Sequence, residues 1–383
     1  MRPARLLPLA AGVFLVGIAV VLWSRSRRAD PPWLPPVPGV GVATPIVSLR
    51  TRPPGQPPAP NAASDQLAAV MGAADAASRA GLLDELRRQL EALGPVERRH
   101  LLGDFLITRR DADLGGEFKL GPDGGLTASP TLRVWLLNEL IRFDPTGAAE
   151  LGRQVLAGMD SPDEWAVALR AVALGDKSED ARRLLRDKTL VLLGHSAWQQ
   201  QPTSGYLNAF DVAVHLKDRA FAPALSGLLR QTNQPALAHA AFLALDRLTL
   251  AAPVELLSAL QAQPAELEGR EAARAGFFAR ADAMHPAQRT LLEQYLLAPS
   301  RSAEEWSAFA ATFPNANQFL SNNLLTRQAI PDGAALLRRD IATLAVVRQW
   351  LTDPRFATHQ AHLRALEGRL QEFVRQTQNP SAP

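Results

Sequence analysis

The stretch EDARRLLRDKTLVLLGHSAW, residues 179–198, decides between two fold classes. An apolar run that leads into Gly194, His195 and Ser196 is how a serine hydrolase presents its nucleophile at the end of a strand. That tight turn also needs glycine two residues after the serine, and this position is Trp198. Residues at helical spacing before Gly194 are Ala181, Leu184, Leu185, Lys188 and Leu192, with charged residues between them. We therefore predict an amphipathic helix that ends at Gly194, as part of an all-α fold.

The composition of the 383-residue chain agrees with this prediction. Hydrophobic residues make up 47% of the chain, enough for a sizeable core. Ala and Leu, the best helix formers, dominate them, whereas the Val- and Ile-rich runs of a large parallel sheet are scarce beyond the N-terminus. Because the chain has 0 Cys, disulfides, cysteine-ligated zinc, thiol catalysis and lipoprotein acylation are excluded.

The net charge of +3 raises the question of an anionic partner. Arginines supply nearly all of the positive charge, and they alternate with acids along predicted helices, as in residues 84–91 and 365–372. Such patterning is typical of solvated helix faces, so we expect no nucleic-acid partner.

Residues 6–23, LLPLAAGVFLVGIAVVLW, are uncharged and long enough to cross a bilayer as a helix. A cleaved signal peptide is the alternative, but the run is long for one and no small-residue cleavage site follows it. We predict an uncleaved signal anchor within residues 1–28. Basic residues flank both ends of the run, so the positive-inside rule does not settle its orientation.

A proline-rich segment follows at residues 29–63 and is predicted to form an extended spacer. A spacer after an anchor commonly lifts a domain away from the membrane, which favours a periplasmic location; a ligand for a proline-recognising domain is the alternative.

The rest of the chain is predicted to consist of successive helices. We divide it into an N-terminal helical part at 64–128, a helical repeat domain at 129–377 and a disordered tail at 378–383. Within the first part, the glycine-rich segment 115–128 predicts a β-hairpin. Helix breaks are expected at Gly81 and Gly94.

Helix starts are indicated where a capping residue precedes proline. This pattern occurs at Ser129, Asp144, Ser161 and Asp353. The pairs Ser161 with Glu164 and Ser302 with Glu305 also have the spacing of capping boxes.

One predicted helix pair, at residues 218–248, resembles a HEAT repeat. Its first helix carries Phe221, Leu225, Leu228 and Leu229, and its second carries Leu237, Ala241, Ala244, Leu245 and Leu248. It departs from the family at Ala238, where HEAT units usually carry arginine. Residues 161–176 resemble a second helix more loosely. The resemblance implies an α-solenoid of stacked antiparallel helix pairs that binds other proteins.

For each of the other candidate residues, a structural role explains the sequence pattern better than a catalytic, metal-binding or ligand-binding role does. His359 and His362 share a helix face but lack the spacing of a zinc-binding helix. Glu304 and Glu305 lie in a predicted first helical turn, where the helix dipole stabilises acidic side chains. The alternative is the pair of carboxylates that a glycosidase needs. Asp111 and Asp113 form a second such pair. The asparagines of residues 313–325 are expected to cap helix ends, with a polar groove for a peptide or glycan as the alternative.

The sequence therefore predicts a bacterial inner-membrane protein, single-pass, with its soluble domain in the periplasm. We expect a non-enzymatic helical-repeat scaffold that binds a protein partner. The alternative is an envelope hydrolase acting through Ser196, or a cell-wall glycosidase, with a helical domain. We assign no catalytic, cofactor-binding or metal-binding residues and no cofactor, and the partner-binding residues are unknown.

Overall fold

The computed structural model describes residues 62–316, 323–328 and 331–378, all within one compact unit, Pro60–Pro383. The predicted anchor at 6–23, the linker up to residue 61 and the tail beyond residue 378 lie outside the described residues. Over the described part the fold is all-α with a single two-stranded hairpin, so the predicted all-α class is confirmed. None of the helices in these ranges is long and apolar enough to cross a membrane.

The elements follow one another with short connections. The N-terminal helices are α1 (Ala62–Gly72), α2 (Ala76–Ala92) and α3 (Pro95–Ile107), followed by strands β1 (Lys119–Leu120) and β2 (Leu126–Ala128). The next helices are α4 (Leu132–Phe143), α5 (Pro145–Val155), α6 (Pro162–Gly175), α7 (Glu179–Gly194), α8 (Ser196–Gln200), α9 (Ser204–Asn208) and α10 (Asp211–Leu216). The C-terminal half contains α11 (Ala222–Leu229), α12 (Pro235–Ala251), α13 (Pro253–Ala262), α14 (Glu271–Phe278), α15 (Pro286–Leu296), α16 (Ala303–Thr312), α17 (Gly333–Thr352) and α18 (Gln360–Gln378). Short 3₁₀ turns precede α11, α14 and α18 at Arg219–Phe221, Pro264–Leu267 and Pro354–His359.

Most of the predicted helix starts are confirmed. Asp144, Ser161 and Asp353 each accept a hydrogen bond from a backbone N–H of the turn that follows. The prediction at Ser129 is wrong, because Thr131 is the residue that caps α4. The segment before Thr131 is held extended instead, since the Pro130 carbonyl accepts a hydrogen bond from Leu114 N at 2.8 Å.

The predicted break at Gly81 is also wrong. Helix α2 runs through Gly81, and the chain turns earlier, where Asp75 accepts a hydrogen bond from Ser78 N at 2.8 Å. A capped start two turns upstream outweighs the modest helix penalty of a single glycine.

The hairpin lies in the segment where one is predicted. Strands β1 and β2 pair antiparallel, and the turn between them contains Gly124 at a positive φ of 75°. Leu126 N donates to Asn138 Oδ1 at 3.0 Å, which ties the hairpin to α4.

Helices α4, α5 and α6 pack against one another and form the best-buried part of the described fold. Helices α5 and α6 approach closely because small residues face each other. A Cβ atom added at Gly175 would lie 1.8 Å from the Pro145 carbonyl oxygen, and one added at Gly152 would lie 2.9 Å from the Ala168 carbonyl oxygen. Elsewhere α11 packs on α12, α14 on α16, and α17 on α18.

Candidate functional site

Ser196 lies on the exposed surface as the first residue of α8, directly after α7 ends at Gly194. The preceding His195 is occupied with a local role, since its Nδ1 accepts a hydrogen bond from Trp198 N at 3.3 Å and its ring stacks on Trp198. Trp198 is buried edge-on against Trp165 of α6, with ring centroids 5.3 Å apart. The structure thus places this stretch at a helix end that Trp198 anchors to α6.

His359 and His362 are half-buried and both stack on Trp306, at centroid distances of 4.3 and 5.8 Å. Burial, assisted by the charge of His362, lowers the pKa of His359. In the described ranges no group of three or more His, Cys, Asp or Glu side chains comes together in a way that could hold a metal ion.

Asn315 closes the C-terminal end of α14. Its backbone N–H donates to the Ala279 carbonyl at 2.8 Å, and its own carbonyl accepts from Arg280 Nη1 at 2.9 Å. Asn317 and Asn322, from the same asparagine-rich segment, lie outside the described residues.

The capping boxes predicted at Ser161 and Ser302 form only in half. The two serine hydroxyls accept hydrogen bonds from the backbone N–H groups of Glu164 and Glu305, at 3.3 and 3.1 Å. The glutamate side chains do not complete the boxes, because each points inward to an arginine on another helix.

A buried arginine–glutamate pair ties α4 to α6. Arg133 donates from Nε and Nη2 to the two carboxylate oxygens of Glu164, each at 2.8 Å, and both side chains are 7% exposed. The remaining nitrogen, Nη1, donates to the Leu106 carbonyl in the last turn of α3. The pair therefore joins three helices through the two-pronged geometry that guanidinium and carboxylate groups share.

A second pair of the same geometry ties α14 to α16. Arg274 donates to the two oxygens of Glu305 at 2.7 and 2.8 Å, and to the Pro264 carbonyl at 3.1 Å. In both pairs the arginine precedes the glutamate by 31 residues. This carboxylate has two further donors on Oε1, the Tyr295 hydroxyl at 2.6 Å and Arg301 Nη1 at 2.7 Å.

The two pairs belong to a pattern that repeats along the chain. We call α4, α5 and α6 the first unit and α14, α15 and α16 the second unit. At one constant sequence offset, the matched residues are Arg133 and Arg274, Pro145 and Pro286, Leu151 and Leu292, Leu156 and Leu297, Ser161 and Ser302, Glu164 and Glu305, and Trp165 and Trp306. The repeated Ser-x-x-Glu-Trp at 161–165 and 302–306 is the sequence signal from which the pairs could have been found.

The side chains that complete the second pair have no counterpart in the first unit. At the same offset, Gln154 stands where the second unit has Tyr295, and Asp160 stands where it has Arg301. Beside Glu164 there is instead an open cavity of about 180 Å³, which we call the Glu164 cleft. Its lining includes Leu106, Arg109, Arg133, Gln154, Asp160 and Glu164.

The mouth of the Glu164 cleft combines charged and apolar groups. Arg109 and Asp160 form an exposed ion pair there at 3.7 Å. Ile107 and Met159, on the two segments that border the cleft, are 53% and 42% exposed. The cleft thus offers charged groups inside and two exposed apolar side chains at its border.

The carboxylates of the 111–113 segment have different roles. Asp111 lines a cavity that adjoins the Glu164 cleft, and its Oδ1 accepts a hydrogen bond from Arg133 N at 2.9 Å. Asp113 accepts a hydrogen bond from Gly115 N at 2.8 Å and stabilises the turn before the hairpin.

Burial raises the pKa of Glu305, but hydrogen bonds from Arg274 and Tyr295 and the charges of both arginines outweigh it, so the net pKa is lowered. A carboxyl whose folded pKa is depressed stabilises the fold above its unfolded value of 4.5 and loses that contribution as the pH falls toward the folded pKa. We therefore expect the difference in unfolding free energy between wild type and Glu305→Gln to shrink between pH 5 and pH 3. Urea titrations at a series of pH values measure it; a constant difference over this range would contradict the lowered pKa.

The chain shows no match to any protein-family model, to a curated protein or to a solved structure. Its function is therefore inferred from its own residues.

Proposed function

We propose that the chain is a membrane-anchored helical-repeat scaffold that binds a protein partner and carries out no reaction of its own. The observation that carries the proposal is the Glu164 cleft with exposed apolar side chains at its border, formed by helices that the buried Arg133–Glu164 pair ties together. Rigid helices that position a concave polar site and an apolar border suit binding of another protein.

The proposal includes the assignment of residues 218–248 as a HEAT-like repeat. The residues that carry the resemblance are all buried: Phe221, Leu225, Leu228, Leu229, Leu237, Ala241, Ala244, Leu245 and Leu248. They lie on α11 and α12, which pack on each other. Two other pairs of consecutive helices, α1 with α2 and α17 with α18, also pack on each other, which supports an α-solenoid of stacked pairs.

The enzymatic alternatives gain no support from the geometry. A nucleophilic serine needs a base turned toward it, whereas the His195 ring is engaged with Trp198. A glycosidase acid must hold a proton near neutral pH, whereas Glu305 is kept ionised by two arginines.

Membrane anchoring through residues 6–23, with the helical domain in the periplasm, is the remaining part of the proposal. We expect the full-length chain fused at its C-terminus to alkaline phosphatase to be active in bacterial cells, and the same fusion to green fluorescent protein to be dark. The opposite result would place the helical domain in the cytoplasm and overturn the proposed location.

The partner surface is tested by site-specific photocrosslinking in intact cells. Benzoylphenylalanine at Ile107 or at Met159 is expected to give a discrete crosslinked species, because Ile107 lines the Glu164 cleft and Met159 is exposed between the lining residues Gly158 and Asp160. Val191 on α7, 48% exposed and equally apolar, is the matched control and should give none. Equal crosslinking from all three positions, or none from any, would overturn the proposal that this face binds a protein.

A further inference from the structure

We infer that the Glu164 cleft is the receptor for an arginine side chain of the protein partner, an inference that rests on the scaffold function proposed above. The second unit supplies the precedent within the same chain. There the guanidinium of Arg301 donates to Glu305 Oε1 at 2.7 Å and lies over the ring of Tyr295, with Cζ 4.5 Å from the ring centroid. The aligned positions of the first unit carry Asp160 and Gln154, and the space beside the carboxylate is open.

Glu164 can accept further hydrogen bonds, whereas Glu305, its counterpart in the second unit, already accepts four. An ionised carboxylate can accept about four hydrogen bonds. Glu305 accepts from Arg274 twice, from Tyr295 and from Arg301. Within the described ranges, Glu164 accepts only the two bonds from Arg133. A guanidinium entering the cleft would add a charge-assisted hydrogen bond at a position where the second unit already has one.

The charge around the cleft favours a cation over an anion. Arg133 is neutralised by Glu164, and Arg109 is paired with Asp160. Asp111 in the adjoining cavity also attracts the charge of Arg133, so three carboxylates stand against two arginines in this lining. The lining therefore carries a net negative charge, which attracts a cation and repels an anion.

The shape of the cleft favours arginine over lysine. Leu106, Leu151, Val155 and Trp165 give it apolar walls, against which a methylene stem can pack while its charged end reaches the carboxylate. At the carboxylate a planar fork presents several donors in one plane, which a lysine ammonium cannot do.

The direct test uses the full-length chain in detergent micelles, labelled with 5-fluorotryptophan, and the probe acetyl-tyrosyl-arginine amide, which carries the two side chains that fill the second unit. The reporter is Trp165, whose Nε1 donates to the Gly158 carbonyl in the cleft wall at 2.7 Å. We expect a saturable ¹⁹F shift of the Trp165 resonance and none of Trp306, its counterpart in the filled unit. Acetyl-tyrosyl-citrulline amide, of the same shape but uncharged, should bind at least about tenfold more weakly. Equal shifts from both peptides, or a Trp165 resonance unmoved at millimolar peptide, would overturn the inference.

A transplant variant gives the second test. Gln154→Tyr with Asp160→Arg places the residues of the second unit in the first, and should abolish the Trp165 shift without lowering the melting temperature. Asp180→Arg, an equal charge change at an exposed position of α7, is the control and should leave the shift intact. Retained probe binding by a folded transplant variant would overturn the inference.

The failures of the two proposals are distinguishable. If Ile107 and Met159 still crosslink the partner in the transplant variant, the scaffold function stands and the arginine receptor is overturned. If Trp165 responds to the arginine peptide but neither position crosslinks a protein, the preference of the cleft for arginine stands and the scaffold function is overturned.

Discussion

Glu305→Gln is expected to lower the free energy of unfolding by about 3–5 kcal/mol, the usual effect of removing one partner from a buried ion pair. The variant leaves Arg274 and Arg301 buried and without their carboxylate, and their side chains are 9% and 5% exposed. The Tyr295 hydroxyl also loses the charged end of its hydrogen bond. Since these groups join α14, α15 and α16, the loss should reach the whole second unit.

The measurement is urea unfolding followed by far-ultraviolet circular dichroism at neutral pH. The matched control is Glu304→Gln, one residue earlier in the same helical turn, where the side chain is exposed and makes no ion pair within the described residues. The Glu304 carboxylate makes only local hydrogen bonds in the exposed first turn of α16, so we expect the control to lower the urea midpoint far less than Glu305→Gln does. A Glu305→Gln midpoint equal to that of the control would show that the buried pair adds nothing to stability.

Gly175→Ala is expected to destabilise the fold by about 3 kcal/mol, at the upper end of what overpacking usually causes. The added methyl would lie 1.8 Å from the Pro145 carbonyl oxygen and 2.9 Å from the Ala149 Cβ atom. The first of these neighbours is backbone, so a side-chain rotation cannot relieve the clash, and α5 must move away from α6. The Glu164 cleft lies between the ends of these two helices, so the variant should also alter the Trp165 resonance without added peptide.

Gly81→Ala is the matched control, because Gly81 lies inside α2 and a Cβ atom there meets nothing within 4 Å. Because alanine is a better helix former than glycine, this variant should raise the free energy of unfolding by about 0.5–1 kcal/mol. Thermal unfolding of both variants measures the contrast. If both substitutions shift the melting temperature in the same direction, the close approach of α5 and α6 is not what Gly175 provides.

Local sequence patterns determined most of the secondary structure. The spacing of apolar residues before Gly194 predicted α7 and its end, and Trp198 was enough to argue against a hydrolase turn. Capping residues before proline located the starts at Asp144, Ser161 and Asp353. These predictions succeed because periodicity and capping act within one or two turns of helix, over distances that the sequence displays directly.

The two wrong predictions have different physical causes. Ser129 has the pattern of a cap, but pairing of the chain around Leu114 keeps Pro130 extended and leaves the cap to Thr131. Gly81 was expected to end a helix, yet nothing packs against it that requires a break.

The roles of the two glutamates depend on packing between helices that are distant in the sequence. Sequence spacing assigned Glu164 and Glu305 to capping boxes, because a capping box is complete within four residues. Their real partners lie 31 residues earlier, on helices that meet them only after packing. A third helix in each unit then supplies the side chain that fills the space beside the carboxylate or leaves it open. That side chain is Tyr295 in the second unit and Gln154 in the first. Helical spacing shows which residues share a face, but burial of a charge depends on every helix around it.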